Sequence, residues 1–162
     1  MRVLAFDLSS HVGWALFDGR KLVRSDTWHT PPEMVGRFGR RFTAAYVFAR
    51  EIIATQKPDV VAFEAPIQPR AGTRDLKNTH PINLRFLQGL AAIFEMVAHM
   101  ESVRCVEVAN GTAKKRLAGH GHAGKPAMVV AAVKQGFIVA NDHEADAVAV
   151  ALATLDHIGV AP

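Results

Sequence analysis

Cysteine is almost missing from this 162-residue sequence, which contains only Cys105. One thiol cannot form an intramolecular disulfide, and it cannot supply the several thiolates of a Cys-based zinc site. Because disulfide-rich proteins belong to oxidising compartments, a single cysteine favours a reducing, cytoplasmic setting.

Long apolar segments are missing as well. Asp7 interrupts the apolar stretch at the N-terminus before it could act as the core of a signal peptide. No run approaches the ~18 apolar residues that a membrane-spanning helix needs. Internal repeats and low-complexity linkers are also missing. We therefore expect one soluble, cytoplasmic domain over residues 1–162.

The composition shows neither disorder nor a large excess of one charge. Hydrophobic residues make up 49% and charged residues 21%, which is enough to build a core. The net charge of +4 is modest and favours polyanionic partners such as nucleic acid. Basic residues form three clusters, each of which could equally be a solvated face: Arg37, Arg40 and Arg41; Arg70, Arg74, Lys77 and Arg85; Lys114, Lys115 and Arg116.

The first third of the chain has the pattern of β-strands. The stretches "RVLAFDL", "VGWALFDG" and "KLVRSDTW" are separated by short polar turns, and Asp18-Gly19 is typical of a hairpin. Three antiparallel strands are therefore predicted.

Helices and two further strands follow. Apolar residues recur at helical spacing from about Glu33 to Gln56, over 82–100 and again after residue 108. Apolar runs at 59–64 and 103–108 predict strands, and residues 65–80 predict an exposed loop. This order predicts an α/β fold, a mixed sheet with helices packed on its faces.

Two acidic residues, Asp7 and Glu64, end apolar strands of this predicted sheet. A buried carboxylate is costly unless it is paired or binds a metal ion. Each residue could instead cap a turn at the end of its strand. Two such acids in one sheet favour a functional explanation.

The segment "NDHEADAVAVAL" at 141–152 places polar residues ahead of an apolar helix. His143 and Asp146 are three residues apart and share a helix face, which the following apolar residues direct toward the sheet. The pair could therefore meet Asp7 and Glu64. Converging carboxylates suit Mg²⁺ or Mn²⁺, and a histidine moves the preference toward Mn²⁺.

The remaining polar residues receive simpler roles. Asn141 or Asp142 is a good N-cap, and we expect Asp142 to cap rather than bind metal. Glu144 is expected to face solvent in the first helical turn. His120 and His122 lie in a glycine-rich turn and favour a turn or phosphate contact over a metal site. Five histidines show no ligand spacing and receive no role: His11, His29, His80, His99 and His157.

Several blocks together resemble a known family. "LAFDLSSHVGWALFDG", "DVVAFEAP", "LQGLAAI", "NGTAKKRLAGHGHAGKPAMV" and "HEADAVAVAL", in this order, are similar to the RuvC-type Holliday-junction resolvases of the ribonuclease H-like superfamily. The resemblance spans nearly the whole chain. It implies a ribonuclease H-like fold with a mixed five-stranded sheet, three antiparallel strands followed by two parallel ones.

The resemblance also implies a metal-dependent endonuclease that cuts branched DNA. Asp7, Glu64, His143 and Asp146 match the four catalytic and metal-binding positions of the family, which uses two Mg²⁺ or Mn²⁺ ions to hydrolyse a phosphodiester bond and leave 5′-phosphate and 3′-hydroxyl ends. The family commonly has Asp where this chain has His143. That exchange lowers the negative charge of the site and lets the imidazole act as ligand or as base.

DNA contacts and a partner follow from the same resemblance. Lys114, Lys115 and Lys125 match segments that meet DNA phosphates, and the loop residues Arg70, Arg74 and Lys77 are expected to join them. Family members act as homodimers on two-fold symmetric junctions. Apolar residues of the 82–100 helix could form that interface or, equally, the core.

Two other functions are possible interpretations of the same sequence. "FDLSSHVGWALFDG" also resembles the first phosphate loop of actin-like sugar and acetate kinases, although those proteins need two such domains to enclose a nucleotide. A non-catalytic module that binds branched DNA or associates with ribosomes would keep the fold without turnover. Cleavage assays separate these alternatives.

Overall fold

The structure of the chain, a computed structural model, describes residues 1–33, 37–66 and 81–160. The described strands are β1 (Arg2–Asp7), β2 (His11–Asp18), β3 (Lys21–His29), β4 (Val60–Glu64) and β5 (Arg104–Val108). The described helices are α1 (Gly39–Gln56), α2 (Pro81–Met100), α3 (Asn110–Ala118), α4 (Lys125–Lys134) and α5 (Asp142–His157).

The strands form one mixed sheet in the order β3-β2-β1-β4-β5. β1 pairs antiparallel with β2, and β2 pairs antiparallel with β3. β4 lies parallel to β1, and β5 lies parallel to β4. The predicted α/β sheet, three antiparallel strands followed by two parallel ones, is confirmed.

Alternating residues of the central strands enter two separate cores. On β1, Val3 and Ala5 pack with α3, α4 and α5, whereas Leu4 and Phe6 pack with α1 and α2. Because side chains of a strand point alternately to opposite faces, Asp7 continues the row of Val3 and Ala5. The carboxylate at the end of β1 therefore lies on the face that α5 covers.

Small residues bring α5 close to the sheet. The helix is buried almost continuously from Glu144 to Leu155, and most of these residues are Ala or Val. Alanine adds little bulk between a helix and a sheet, so the helix axis can lie near the strands. The apolar run that follows His143 thus holds the beginning of α5 against β1 and β2.

Helix α1 begins later than the sequence predicts. It was expected from about Glu33, but its first residue is Gly39. The Glu33 carboxylate accepts a hydrogen bond from the backbone N–H of Arg40 at 2.7 Å. Glu33 therefore lies before the helix and satisfies one of the free N–H groups of its first turn, which apolar periodicity does not reveal.

Helix α2 matches its prediction within one residue. Phe86, Leu90, Phe94 and Val97 are buried in the core of this chain. These four residues serve the core, whereas Met96 and Met100 on the same helix are exposed. Among the described helices none is both long and apolar enough to cross a membrane.

Candidate functional site

Asp7 and Glu64 lie at the same edge of the sheet. β1 and β4 are parallel neighbours in which Phe6 is paired with Phe63, so their last residues are also adjacent. On β4, Val60 and Ala62 face the α5 side, and Glu64 continues that row. The two carboxylates line one cleft of about 200 Å³. The strand register therefore brings together the two acids that the sequence singled out.

The environment of Glu64 is partly apolar. Burial raises the pKa of its carboxyl, and the charge of Asp7 raises it further. A hydrogen bond donated by Asn110 Nδ2 to Glu64 Oε1 and the charge of Lys114 act in the opposite direction. Asn110 is the first residue of α3, directly after β5, so the neighbouring strand delivers this donor.

The first turn of α5 rests directly on β2. Gly13 pairs with Asp7 in the sheet, and a Cβ at Gly13 would overlap the backbone carbonyl of His143. His143 Nδ1 lies 2.9 Å from Asp7 Oδ2. Because an ionised carboxylate only accepts hydrogen bonds, Nδ1 is the donor, and the lone pair of a neutral ring is on Nε2. This bond raises the pKa of His143, with burial opposing it.

Asp146 lies one turn further along α5. Burial, followed by the charges of Asp7 and Glu64, raises the pKa of its carboxyl to about 7. Within the described residues its Oδ1 atom is buried and has no hydrogen-bond partner. The structure thus brings the four predicted residues to one place, where three carboxylates repel one another and Asp146 Oδ1 lacks a partner among the residues that the structure describes.

The donor chemistry of this cluster fits a hard divalent cation. Carboxylate oxygens are the preferred ligands of Mg²⁺ and Mn²⁺, and a cation would relieve the mutual repulsion of the acids. In the described parts of the chain, however, no three His, Cys, Asp or Glu side chains are arranged to hold an ion as they stand. Asp7 is bonded to His143 and Glu64 to Asn110. Metal binding therefore requires these side chains to turn, and the metal site stays a prediction.

Two of the predicted DNA-binding lysines stand beside the acids. Lys114 acts electrostatically on Glu64 and Asp146. Lys125 Nζ lies 2.5 Å from Asp142 Oδ2, a contact that raises the pKa of Lys125 and lowers that of Asp142. Both lysines can therefore place positive charge where an anionic substrate would approach.

The other basic residues have different surroundings. Lys115 is exposed, and Arg116 forms an ion pair with Asp156 at the far end of α5. Arg70, Arg74 and Lys77 lie outside the described residues, together with most of the predicted 65–80 loop.

Two expectations about the start of α5 are wrong. The N-cap is Asn141, whose side chain accepts a hydrogen bond from the backbone N–H of Glu144 at 3.0 Å, while Asp142 is the first helical residue and pairs with Lys125. Glu144 does not face solvent and is only 5% exposed. Its carboxylate accepts hydrogen bonds from Ser25 Oγ at 2.6 Å and from the backbone N–H of Ala140 at 3.2 Å. Edge strand β3 covers this side of the helix, which helical spacing alone could not show.

Sequence reasoning also missed His11 and His29. They are paired across β2 and β3, and the ring of His11 stacks on that of His143. Strand alternation offered a signal, because His11 precedes Gly13 by two residues and so shares its face. His120 and His122 are exposed in the turn between α3 and α4, as expected.

Comparisons with known proteins identify the fold of the chain. No family model and no curated protein sequence matches the chain. Solved structures do match, among them Thermus thermophilus RuvC, with 21% identity over 99% of this chain and 98% of that one and a TM-score of 0.71. T. thermophilus RuvC in complex with Holliday junction substrate is 22% identical over 94% of this chain and 92% of that one, with a TM-score of 0.73. The yeast mitochondrial Holliday junction resolvase Ydc2 is 12% identical over 95% of this chain and 77% of that one, with a TM-score of 0.67.

These identities are low, but the coverage is nearly complete for both RuvC structures. The mixed sheet and the flanking helices are therefore shared as a whole rather than in one motif. The chain has the α/β, ribonuclease H-like fold of RuvC, which confirms the fold that the sequence blocks implied.

Proposed function

We propose that this chain is a metal-dependent endodeoxyribonuclease that cleaves Holliday junctions or other branched DNA. The observation that carries the proposal is the convergence of Asp7, Glu64 and Asp146 with His143 at one sheet edge. The fold is that of RuvC, and one of the similar RuvC structures holds a Holliday junction. A cluster of mutually repelling acids is costly for stability, so a functional reason for it is favoured.

The four residues Asp7, Glu64, His143 and Asp146 would hold two Mg²⁺ or Mn²⁺ ions. Such ions lower the pKa of a bound water and neutralise charge that builds on the scissile phosphate. Asp146 supports this assignment because its buried Oδ1 has no other described partner. A carboxyl whose pKa is near 7 must lose its proton to become a ligand, so we expect ion binding to strengthen as the pH rises through 7.

His143 can also take up a proton. Its Nδ1–H group donates to Asp7, which fixes the tautomer and leaves the Nε2 lone pair available. A nearby carboxylate that orients an imidazole in this way raises its basicity. His143 Nε2 therefore suits either metal ligation or removal of a proton from the attacking water.

Positive charge on one side of the site would bind the DNA backbone. We propose phosphate contacts from Lys114, Lys115 and Lys125, joined by the loop residues Arg70, Arg74 and Lys77. These contacts would make affinity depend on salt, and the choice of a junction would come from its shape. We propose that the chain is a single domain that acts in the cytoplasm. Two such chains would form a homodimer, whose two-fold symmetry would match that of a junction.

A cleavage assay tests the proposal. Labelled four-way junctions, flaps and linear duplex would be incubated with the protein in Mg²⁺, in Mn²⁺ or in chelator. We expect metal-dependent cuts in branched DNA that are lost in Asp7→Asn and Asp146→Asn. Asp26→Asn is the matched control, because Asp26 is an exposed acid on β3, and it should cleave normally. Tight junction binding without cuts in either metal would favour a binding module, and ATP turnover without cuts would favour a kinase-like domain.

A further inference from the structure

Three imidazole rings lie in a row beside the candidate site. The ring of His11 stacks on the ring of His143 with a centroid distance of 5.5 Å and an angle of 20° between the planes. The rings of His29 and His11 meet edge to face, with a centroid distance of 4.8 Å and an angle of 86° between the planes. His143 is thus held at two places: its Nδ1 edge by Asp7 and its face by His11.

The strand register explains this row. His11 and His29 are direct cross-strand partners on β2 and β3. His11 also precedes Gly13 by two residues, so both residues face α5. Because Gly13 has no side chain, the backbone of His143 can contact β2 at this position. The backbone therefore places the three histidines next to one another.

Local hydrogen bonds fix the position of His11, although its ring is exposed. Ser9 Oγ accepts from the backbone N–H of His11 at 3.1 Å and lies 2.8 Å from the His11 carbonyl oxygen. Ser10 Oγ lies 3.2 Å from His11 Nδ1. Together with His29, these contacts hold a ring that protrudes from the strand end in a defined place.

We infer that His11 is a positioning residue for His143, and that it acts through the stacked rings rather than through a polar contact with substrate. The hydrogen bond from Nδ1 to Asp7 favours one orientation of the His143 ring about the Cβ–Cγ bond, but the ring can turn whenever this single bond breaks. The face contact with His11 restricts the plane of the ring. The two contacts together keep Nδ1 on Asp7 and Nε2 available.

This inference rests on the proposed function only for its catalytic consequence. The arrangement of the His143 ring can be measured in the metal-free protein. Long-range ¹H–¹⁵N NMR spectra at one pH well above the pKa of His143 report which ring nitrogen carries the proton. We expect a single Nδ1–H form in the wild type, a mixture of tautomers in His11→Ala, and the single form again in His11→Phe, which keeps a ring that can stack.

Cleavage provides the second measurement. His11→Ala should slow single-turnover cleavage on the order of tenfold, because misplaced catalytic groups lose effective concentration, while junction affinity in chelator is unchanged. His11→Phe should restore most of the rate, and His29→Ala should have a smaller effect than His11→Ala. His157→Ala, at the exposed C-terminal end of α5, is the control and should match the wild type.

Two results would overturn the inference: an unchanged His143 tautomer in His11→Ala, or a His11→Phe variant as slow as His11→Ala. The second result would mean that a ring nitrogen of His11 contacts the substrate. If the wild type cuts no DNA at all, the proposed function fails, whereas the NMR comparison still decides whether His11 positions His143.

Discussion

Gly13 on β2 lies against the main chain of His143 and is the cross-strand partner of Asp7 on β1. The place of the histidine beside the acid therefore depends on the lack of a side chain in the neighbouring strand. A methyl group at Gly13 would have to displace the first turn of α5, and with it His143.

Gly13→Ala should lower stability and activity together. Overpacking of this kind costs about 1–3 kcal/mol, which urea unfolding would measure, and cleavage should fall with it because His143 is moved from Asp7. Gly39→Ala is the matched control, since a Cβ there meets nothing within 4 Å and the residue is helical. Equal unfolding free energies for the two variants would contradict the close approach at Gly13.

Asp146→Asn should make the metal-free protein more stable at pH 8. The folded carboxyl has a pKa of about 7 and an ordinary one of 3.8, so between these values the folded state holds a proton that the unfolded state lacks. The stability of the wild type therefore falls as the pH rises through this window. The variant does not lose this stability, because the asparagine amide does not ionise. The gain is expected to be on the order of 2 kcal/mol at pH 8 and to vanish near pH 4.

Urea unfolding in chelator at several pH values would measure the Asp146→Asn gain, with exposed Asp26→Asn as the control. Divalent ions should stabilise the wild type and fail to stabilise Asp146→Asn. A flat difference between the two proteins from pH 4 to pH 8 would contradict the raised pKa.

Glu144→Gln should destabilise the start of α5. Oε2 of the buried carboxylate accepts hydrogen bonds from Ser25 Oγ and from the backbone N–H of Ala140, and Oε1 accepts one from Asn141 Nδ2 at 3.3 Å. An amide whose oxygen serves the first two donors would turn its NH₂ group toward the Asn141 donor. Loss of one buried partner costs about 1–3 kcal/mol, measurable by thermal or urea unfolding. Glu95→Gln, on the exposed side of α2, should change stability little, and the same small change for Glu144→Gln would argue against the buried network.

Lys125→Met should weaken junction binding in chelator and make it less dependent on salt. Lys125 is 69% exposed and held beside the acids by Asp142, so one phosphate contact is expected from it. Removing one such contact should lower the slope of log affinity against log salt by about 1. Lys134→Met, at the opposite end of α4, is the control, and an unchanged slope in Lys125→Met would remove this lysine from the DNA contacts.

His143→Asp should retain cleavage and move its preference from Mn²⁺ toward Mg²⁺. A carboxylate replaces the nitrogen donor with oxygen, which the harder ion favours. Comparing cleavage rates in the two metals would measure the change. Complete inactivity of a folded His143→Asp variant would show instead that the imidazole must accept a proton.

The order and type of most elements could be read from apolar spacing. Val3, Ala5 and Asp7 lie on one side of a strand because side chains alternate, and this alternation is visible in the letters of β1. The same holds for Glu64 at the end of β4 and for the shared helix face of His143 and Asp146. The candidate site was therefore predictable because its members lie at the ends of strands or in the first two turns of a helix.

Contacts between distant segments were not predictable in this way. Glu144 is buried because edge strand β3 reaches over α5, and Asp142 faces Lys125 because two helix N-termini meet. His11 was given no role, since its partner His143 is 132 residues away in the sequence and stacks on it only when α5 rests on Gly13. Local spacing carries information about one strand or one helix, whereas strand register and helix placement decide which polar groups meet.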